Sequence, residues 1–169
     1  MGFIKDTHMA QYIPPTAMHY VTGTWTDAAG TVAGTICKHK AAGAVTSVIN
    51  VPIMLPSNSI QQKGAYLKSV EFDYEELGAV VTSVTATMNK ITRGADTAVA
   101  VVADVPVTQD LAAAVAAASQ DQHKLTVTLT TPVWIDNDEE FMLVITQVAG
   151  AGGATTDVYG AVVNYDLKL

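Results

Sequence analysis

The side chains in this sequence that could do chemistry are an acidic run, a lone cysteine near a histidine, a glycine-rich stretch and scattered aromatic residues. Asp136, Asp138, Glu139 and Glu140 form the densest acidic cluster, and carboxylates at alternate positions could offer oxygen ligands to calcium. The spacing departs from an EF-hand loop, because no glycine follows at the sixth position and no flanking helices are indicated. The cluster therefore reads as a solvated acidic turn between two strands. Glycoside hydrolysis needs two carboxyl groups across a cleft, which neighbours in sequence do not demonstrate.

Cys37 and His39 stand two positions apart, so on a strand they share a face and could begin a metal site. Further ligands are not identifiable, since His8, His19 and His123 lie in separate segments. As a nucleophile and base the pair is poorly arranged: the side chains lie side by side, with no third group evident to orient the imidazole. A packed cysteine beside an exposed histidine is the expected outcome, free cysteine being among the most buried residue types.

Gly150, Gly152 and Gly153 precede Thr155 and Thr156, but the lysine of a phosphate loop is missing and the context is strand to strand. A hairpin loop accounts for them. Trp25, Trp134 and the six tyrosines could form sugar-binding platforms, although core or interface packing suits scattered aromatics better. No catalytic, cofactor-binding or metal-ligating residue is assigned from these patterns.

The elements that must position these groups read as strands. Val70, Phe72 and Tyr74 alternate with Ser69, Glu71 and Asp73, and Leu125, Val127 and Leu129 alternate with threonines. Period-two patterns recur from Val80 to Met88, Phe141 to Val148 and Val158 to Leu169, while Ala98 to Val105 suits a strand covered on both sides. Met18 to Trp25 and Thr31 to Lys38 suggest a hairpin turning at Asp27 to Gly30, and Val45 to Leu55 a strand with prolines near its end. Glu75 to Gly78 reads as a connection. Gln109 to Gln120 breaks the rhythm with an alanine run, as a short helix or a loop. The expected fold is all-β: a single-domain, jelly-roll-like β-sandwich of about eight or nine strands with one such excursion. Residues 16–169 form the domain, and residues 1–15 an extended N-terminal arm ending in Pro14 and Pro15. Phe3, Ile4, Met9, Tyr12 and Ile13 make that arm too apolar for a solvated tail, so it is expected to dock on a neighbour or on its own sandwich.

With 169 residues the chain suits one core. Its net charge of -7 and single arginine, Arg93, argue against nucleic acid, whose phosphates demand clustered cations. The acidity serves either solubility or a partner with a basic face. No run approaches the roughly 18 consecutive apolar residues of a membrane helix. The N-terminus lacks the pattern of a secretory signal, and the expectation is a product that stays where it is made until assembled.

The segments GAYLKSVEFDY (Gly64 to Tyr74), VTSVTATMNKI, LTVTLTTPVWIDNDEEFMLVITQV and DVYGAVVNYDLKL together resemble small β-sandwich structural proteins of tailed bacteriophages. The resemblance covers roughly the last two-thirds of the chain. It implies a non-enzymatic virion component made in the host cytoplasm: a capsid decoration, or cement, protein, often trimeric, that bridges major capsid protein subunits. It implies no cofactor, nucleic acid, membrane or small-molecule substrate. Phe3, Ile4, Met9, Tyr12, Ile13, Trp25 and Trp134 are then the candidate contacts with the shell or with other copies. Thr131 to Asp138 and Val158 to Leu167 would define the fold. The competing expectations are a carbohydrate- or receptor-binding module and another virion subunit, such as a fibre, baseplate or main shell protein.

Overall fold

The fold is given by a computed structural model that describes residues 6–31, 33–43, 45–57, 64–78, 81–94, 101–110, 122–149 and 153–168. Twelve strands are described in two sheets. The larger has seven strands in the order β3 (Trp25–Ala29), β4 (Ile36–Lys40), β12 (Thr155–Lys168), β6 (Ala65–Leu77), β10 (Gln122–Trp134) and β9 (Val107–Gln109), with β1 (Asp6–Ile13) also paired to β12. The smaller has five: β2 (His19–Tyr20), β5 (Ser47–Ile53), β11 (Glu139–Ala149), β7 (Val81–Thr92) and β8 (Val101–Val105). All pairings are antiparallel. From β4 to β7 every connection changes sheet, and so do those on both sides of β11, which makes the protein an all-β sandwich.

Alternation explains the core. Val70, Phe72 and Tyr74 of β6 meet Leu143, Ile145 and Ile49 of the opposite sheet in one buried cluster. Each is at most 2% exposed, and their β-branched and aromatic types suit a pleated, buried surface.

Several segments depart from the sequence expectation for identifiable reasons. The segment read as an arm docks on its own sandwich, one of the two expected outcomes, but does so as a strand: Asp6 to Ile13 pair residue for residue with Lys168 to Ala161. Its own sandwich supplies the partner because β4 covers only the first residues of β12, leaving the rest of that edge open. Pro14 ends the strand in extended geometry, and Pro15 opens a single 3₁₀ turn at a position where its missing N–H costs nothing. The hairpin turns at residues 30–35, later than Asp27 to Gly30, so its second strand begins at Ile36. Glu75 and Glu76, read as a connection, extend β6 because both β10 and β12 pair with them or their neighbours. These additions, with the short β2 and β9, raise the strand count above eight or nine. The alanine run after Asp110 lies outside the described residues.

Two irregularities re-aim side chains. Register shifts in β10 between Thr128 and Val133, where Pro132 has no N–H to give the ladder. It shifts again in β12 between Val158 and Gly160; Gly160 has φ 143°, and a Cβ there would lie 2.6 Å from the Tyr12 ring.

Candidate binding faces

The outer face of the seven-stranded sheet gathers charged residues by register. Glu71, Asp73 and Glu75 occupy the positions of β6 opposite in phase to its core residues, and Asp157 of β12 lies directly across from both Glu75 and His39. The His39 ring Nδ1 donates to Asp157 Oδ1 at 2.5 Å. Tyr159 and Thr31 hydroxyls both donate to Glu75 Oε2 at 2.7 Å. Glu75 and Asp157 are 7% and 4% exposed although they point away from the core, because the tip of the β3–β4 hairpin reaches over them to Tyr159. Gly30 permits that closeness, since a Cβ there would clash with Thr35 and Tyr159.

Farther along this face, Lys124 donates to Glu71 at 2.7 Å and Asn164 to both Glu71 and Ser69. Lys68 and His8 share Asp166. The hydrogen bond from Lys124 holds Glu71 below the usual carboxylate range. Burial pushes Asp166 up, but the bonds from Lys68 and His8 outweigh it and keep the carboxyl low. Asp73 is pushed up by burial, which outweighs the opposing effect of Lys124. Among the described side chains, two lysines thus face five carboxylates, of which Glu75, Asp157 and Asp166 are nearly buried and Glu71 and Asp73 are partly exposed.

Cys37 and His39 do acquire a third group here, Asp157, which their spacing in sequence could not disclose. The chemistry nevertheless runs the wrong way for a nucleophile. Burial and then the Asp157 carboxylate push the Cys37 thiol up to about 11, and the sulfur is fully buried. The cysteine is packed, as expected; His39 is paired where exposure was expected. Among the described residues no three His, Cys, Asp or Glu side chains gather as a metal site. At the acidic turn, Lys90 binds Glu139 at 2.6 Å and Arg93 binds Glu140.

The candidate contact residues separate. Phe3 and Ile4 lie outside the described residues. Met9 and Tyr12 are exposed on β1, whereas Ile13 belongs to the core and is no surface contact within this chain. Trp25 packs against Tyr20 at a centroid distance of 4.5 Å, with the ring planes tilted by 42°, and donates its indole N–H to the Thr22 carbonyl. With Met18, His19 and Lys38 that pair lines an open cleft of about 430 Å³. Trp134 packs against Tyr66 at a centroid distance of 4.7 Å, with the ring planes tilted by 36°, directly across the β6–β10 ladder. Tyr66 is out of phase with the buried Leu67 and lies in register with Asp166, so this pair belongs to the charged outer face.

The outer face of the five-stranded sheet has the opposite character. Val144 lies in register with Thr87 and Asn50, Thr146 with Thr85 and Val48, and Met142 with Asn89 and Pro52. These rows hold no charged residue until Asp104, on the edge strand β8, and the next row sets exposed Glu140, paired with Arg93, beside Ile91.

The interior also holds a polar layer that sequence patterns did not reveal. Lys40, Thr156 and Glu76 are register partners across three strands of the large sheet, while Ser47 and Gln147 pair on the small sheet, all 3% exposed or less. Ser47 Oγ, Thr156 Oγ1, Glu76 Oε1 and both amide atoms of Gln147 have no protein hydrogen-bond partner. Each such atom costs roughly 1–3 kcal/mol when left unpaired. Burial raises the Glu76 carboxyl to about 7, against the opposing bond from the Val81 backbone and the charge of Lys40.

No family model and no curated protein matches the chain. Among solved structures it is similar to a mutant family 29 carbohydrate-binding module, with 10% identity, TM-score 0.36, and 95% of this chain and 93% of the other covered. A second likeness is to TmCBM61 in complex with β-1,4-galactotriose, with 9% identity, TM-score 0.38 and coverage of 96% and 88%. A third is to the arabinose-bound α-L-arabinofuranosidase MgGH51, with 10% identity and TM-score 0.43, where the chain covers 91% of itself and 24% of the enzyme. The sandwich assignment stands on the strand pairing of this chain.

Proposed function

We propose that this protein is a non-enzymatic structural subunit that attaches to a larger protein assembly, and that the assembly is a virion shell, as its resemblance to phage decoration proteins implies. The observation that carries the reading is the acidic outer face of the seven-stranded sheet. Glu71 and Asp73 are its partly exposed carboxylates, on a strand held rigid by ladder hydrogen bonds; Glu75, Asp157 and Asp166 adjoin them at 7% exposure or less, and among the described side chains the lysines of this face are Lys68 and Lys124. A rigid, acidic surface steers a basic partner and sets its register. Capsid opening would then have to break these contacts, multiplied over many copies.

The test is attachment. Glu71→Lys with Asp73→Lys reverses the charge at two outward positions and is expected to abolish occupancy on assembled particles while the isolated variant keeps its fold. Full occupancy by that variant, or particles that withstand heat equally well without the protein, removes the reading.

A second reading, carbohydrate binding, is favoured by the tilted Tyr66–Trp134 pair beside Asp166, Lys68 and Asn164. Aromatic planes suit the apolar faces of sugar rings, and the flanking polar groups suit their hydroxyls. A glycan array probed with the wild type and Trp134→Ala tests it: binding lost in the variant supports the reading, and no glycan retained by the wild type rejects it.

A further inference from the structure

We propose that one end of the sandwich core is a binding site for internal water, a hydrogen-bonded cluster held between the two sheets as part of the fold. The inference concerns the interior and stands apart from either reading of the outer faces.

The polar layer draws on both sheets: Glu76, Thr156 and Lys40 are register partners on the large one, Ser47 and Gln147 on the small one. Contacts between the sheets bring the two sets together. The Val81 N–H, at the start of β7, donates to the Glu76 carboxylate, and the Lys40 ammonium donates at 3.3 Å to the carbonyl of Val45, two residues before Ser47. Tyr74 adjoins them, in the same inward phase of β6 as Glu76 and near enough to feel its charge. Among the described residues, the Tyr74 hydroxyl, Glu76 Oε1, Ser47 Oγ, Thr156 Oγ1 and both amide atoms of Gln147 are buried with no protein hydrogen-bond partner. Buried polar atoms of native proteins find partners, in protein or in ordered water.

The chemistry of the layer selects the occupant. Packed sheets stand about 10 Å apart, a gap that Phe72, Leu143 and Ile145 fill farther along and that the short Ser47 and Thr156 side chains do not. The Lys40 ammonium disfavours a metal ion, and no three His, Cys, Asp or Glu side chains gather as a metal site among the described residues. Glu76 likewise disfavours an anion. Gln147 offers a donor and an acceptor, so the occupant must both accept and donate. Water is neutral, does both, and typically makes about three hydrogen bonds when buried, so six such atoms suit about two molecules.

Magnetic relaxation dispersion of water oxygen-17 on the full chain counts water molecules held for longer than the protein takes to tumble. Ser47→Ala with Gln147→Leu and Thr156→Val replaces four of the six atoms by apolar groups of similar shape, a change that folds tolerate when no buried partner is left behind. The wild type is expected to hold long-lived water, and the triple variant about one or two molecules fewer. No long-lived water in the wild type, or an equal number in the folded variant, overturns the proposal. If the variant does not fold, a crystal structure of the wild type decides: water within hydrogen-bond reach of Gln147 and Glu76 Oε1 is expected. A metal ion at that place, or side chains turned to pair these atoms directly, overturns it.

Discussion

His39 and Asp157, separated by 118 positions in the chain, meet at 2.5 Å because β4 and β12 are adjacent and in register at that pair. The contact joins the hairpin strand to the centre of the large sheet. It also gives Cys37, two residues before His39, an acidic neighbour that disfavours the thiolate.

Cys37 should therefore be inert in the folded protein. With the thiol raised to about 11 and the sulfur buried, a disulfide reagent at pH 8 is expected to react only at the rate of unfolding. Thiol release followed with and without denaturant checks this. Rapid, stoichiometric labelling of native protein would contradict the burial and the electrostatics together.

Glu76 should make stability depend on pH in the direction opposite to that of a paired carboxylate. Its folded pKa, about 7, exceeds the unfolded value of 4.5, so the folded state holds the proton longer. Its effect is absent below the unfolded value; stability then falls as pH rises towards 7 and stays reduced above it. The loss is on the order of 3 kcal/mol. Glu76→Gln should remove this slope and raise the urea midpoint at pH 8, with little change at pH 4. Parallel pH profiles for the two proteins would show that Glu76 does not titrate in the core.

Glu71 and Asp166 contribute with the other sign. Both are held low in the folded state, so their stabilisation is present above the ordinary carboxylate range and is lost as pH falls through their depressed values. Lys124→Met should reduce stability at neutral pH by up to about 1 kcal/mol, because the pair is partly exposed. The difference from wild type should vanish in acid, as urea midpoints at the two pH values would show.

Gly160→Ala should destabilise the protein by about 1–3 kcal/mol, through a positive φ and a clash with the Tyr12 ring. Adding Tyr12→Ala should recover only the clash with the ring, leaving the backbone strain and the close approach to the Ile13 carbonyl oxygen. A double-mutant cycle from denaturant unfolding measures the split, and a Gly160→Ala protein as stable as wild type would refute the packing of β1 against this bulge.

The all-β class was legible in the sequence because alternation is local: Val70, Phe72 and Tyr74 announce a half-buried strand without reference to any partner. So was the outward phase of Glu71 and Asp73. The pairing of Glu75 with Asp157, the closing of the hairpin over them and the burial of Glu76 were decided only by tertiary structure. A period-two pattern states which residues share a face; it does not name the strand that lies alongside. The two consecutive glutamates looked like a polar connection because nothing nearby in the chain could hold them in a sheet. Strands β10 and β12 do so from far along the chain, placing one glutamate on the covered outer face and the other in the interior polar layer. Likewise the composition of the first fifteen residues called for an apolar surface to dock on, but the open edge of β12 exists only once the sheet has formed. Local patterning determined the strands and their faces, and long-range register decided which charges meet, because hydrogen-bonded neighbours are chosen by the whole chain.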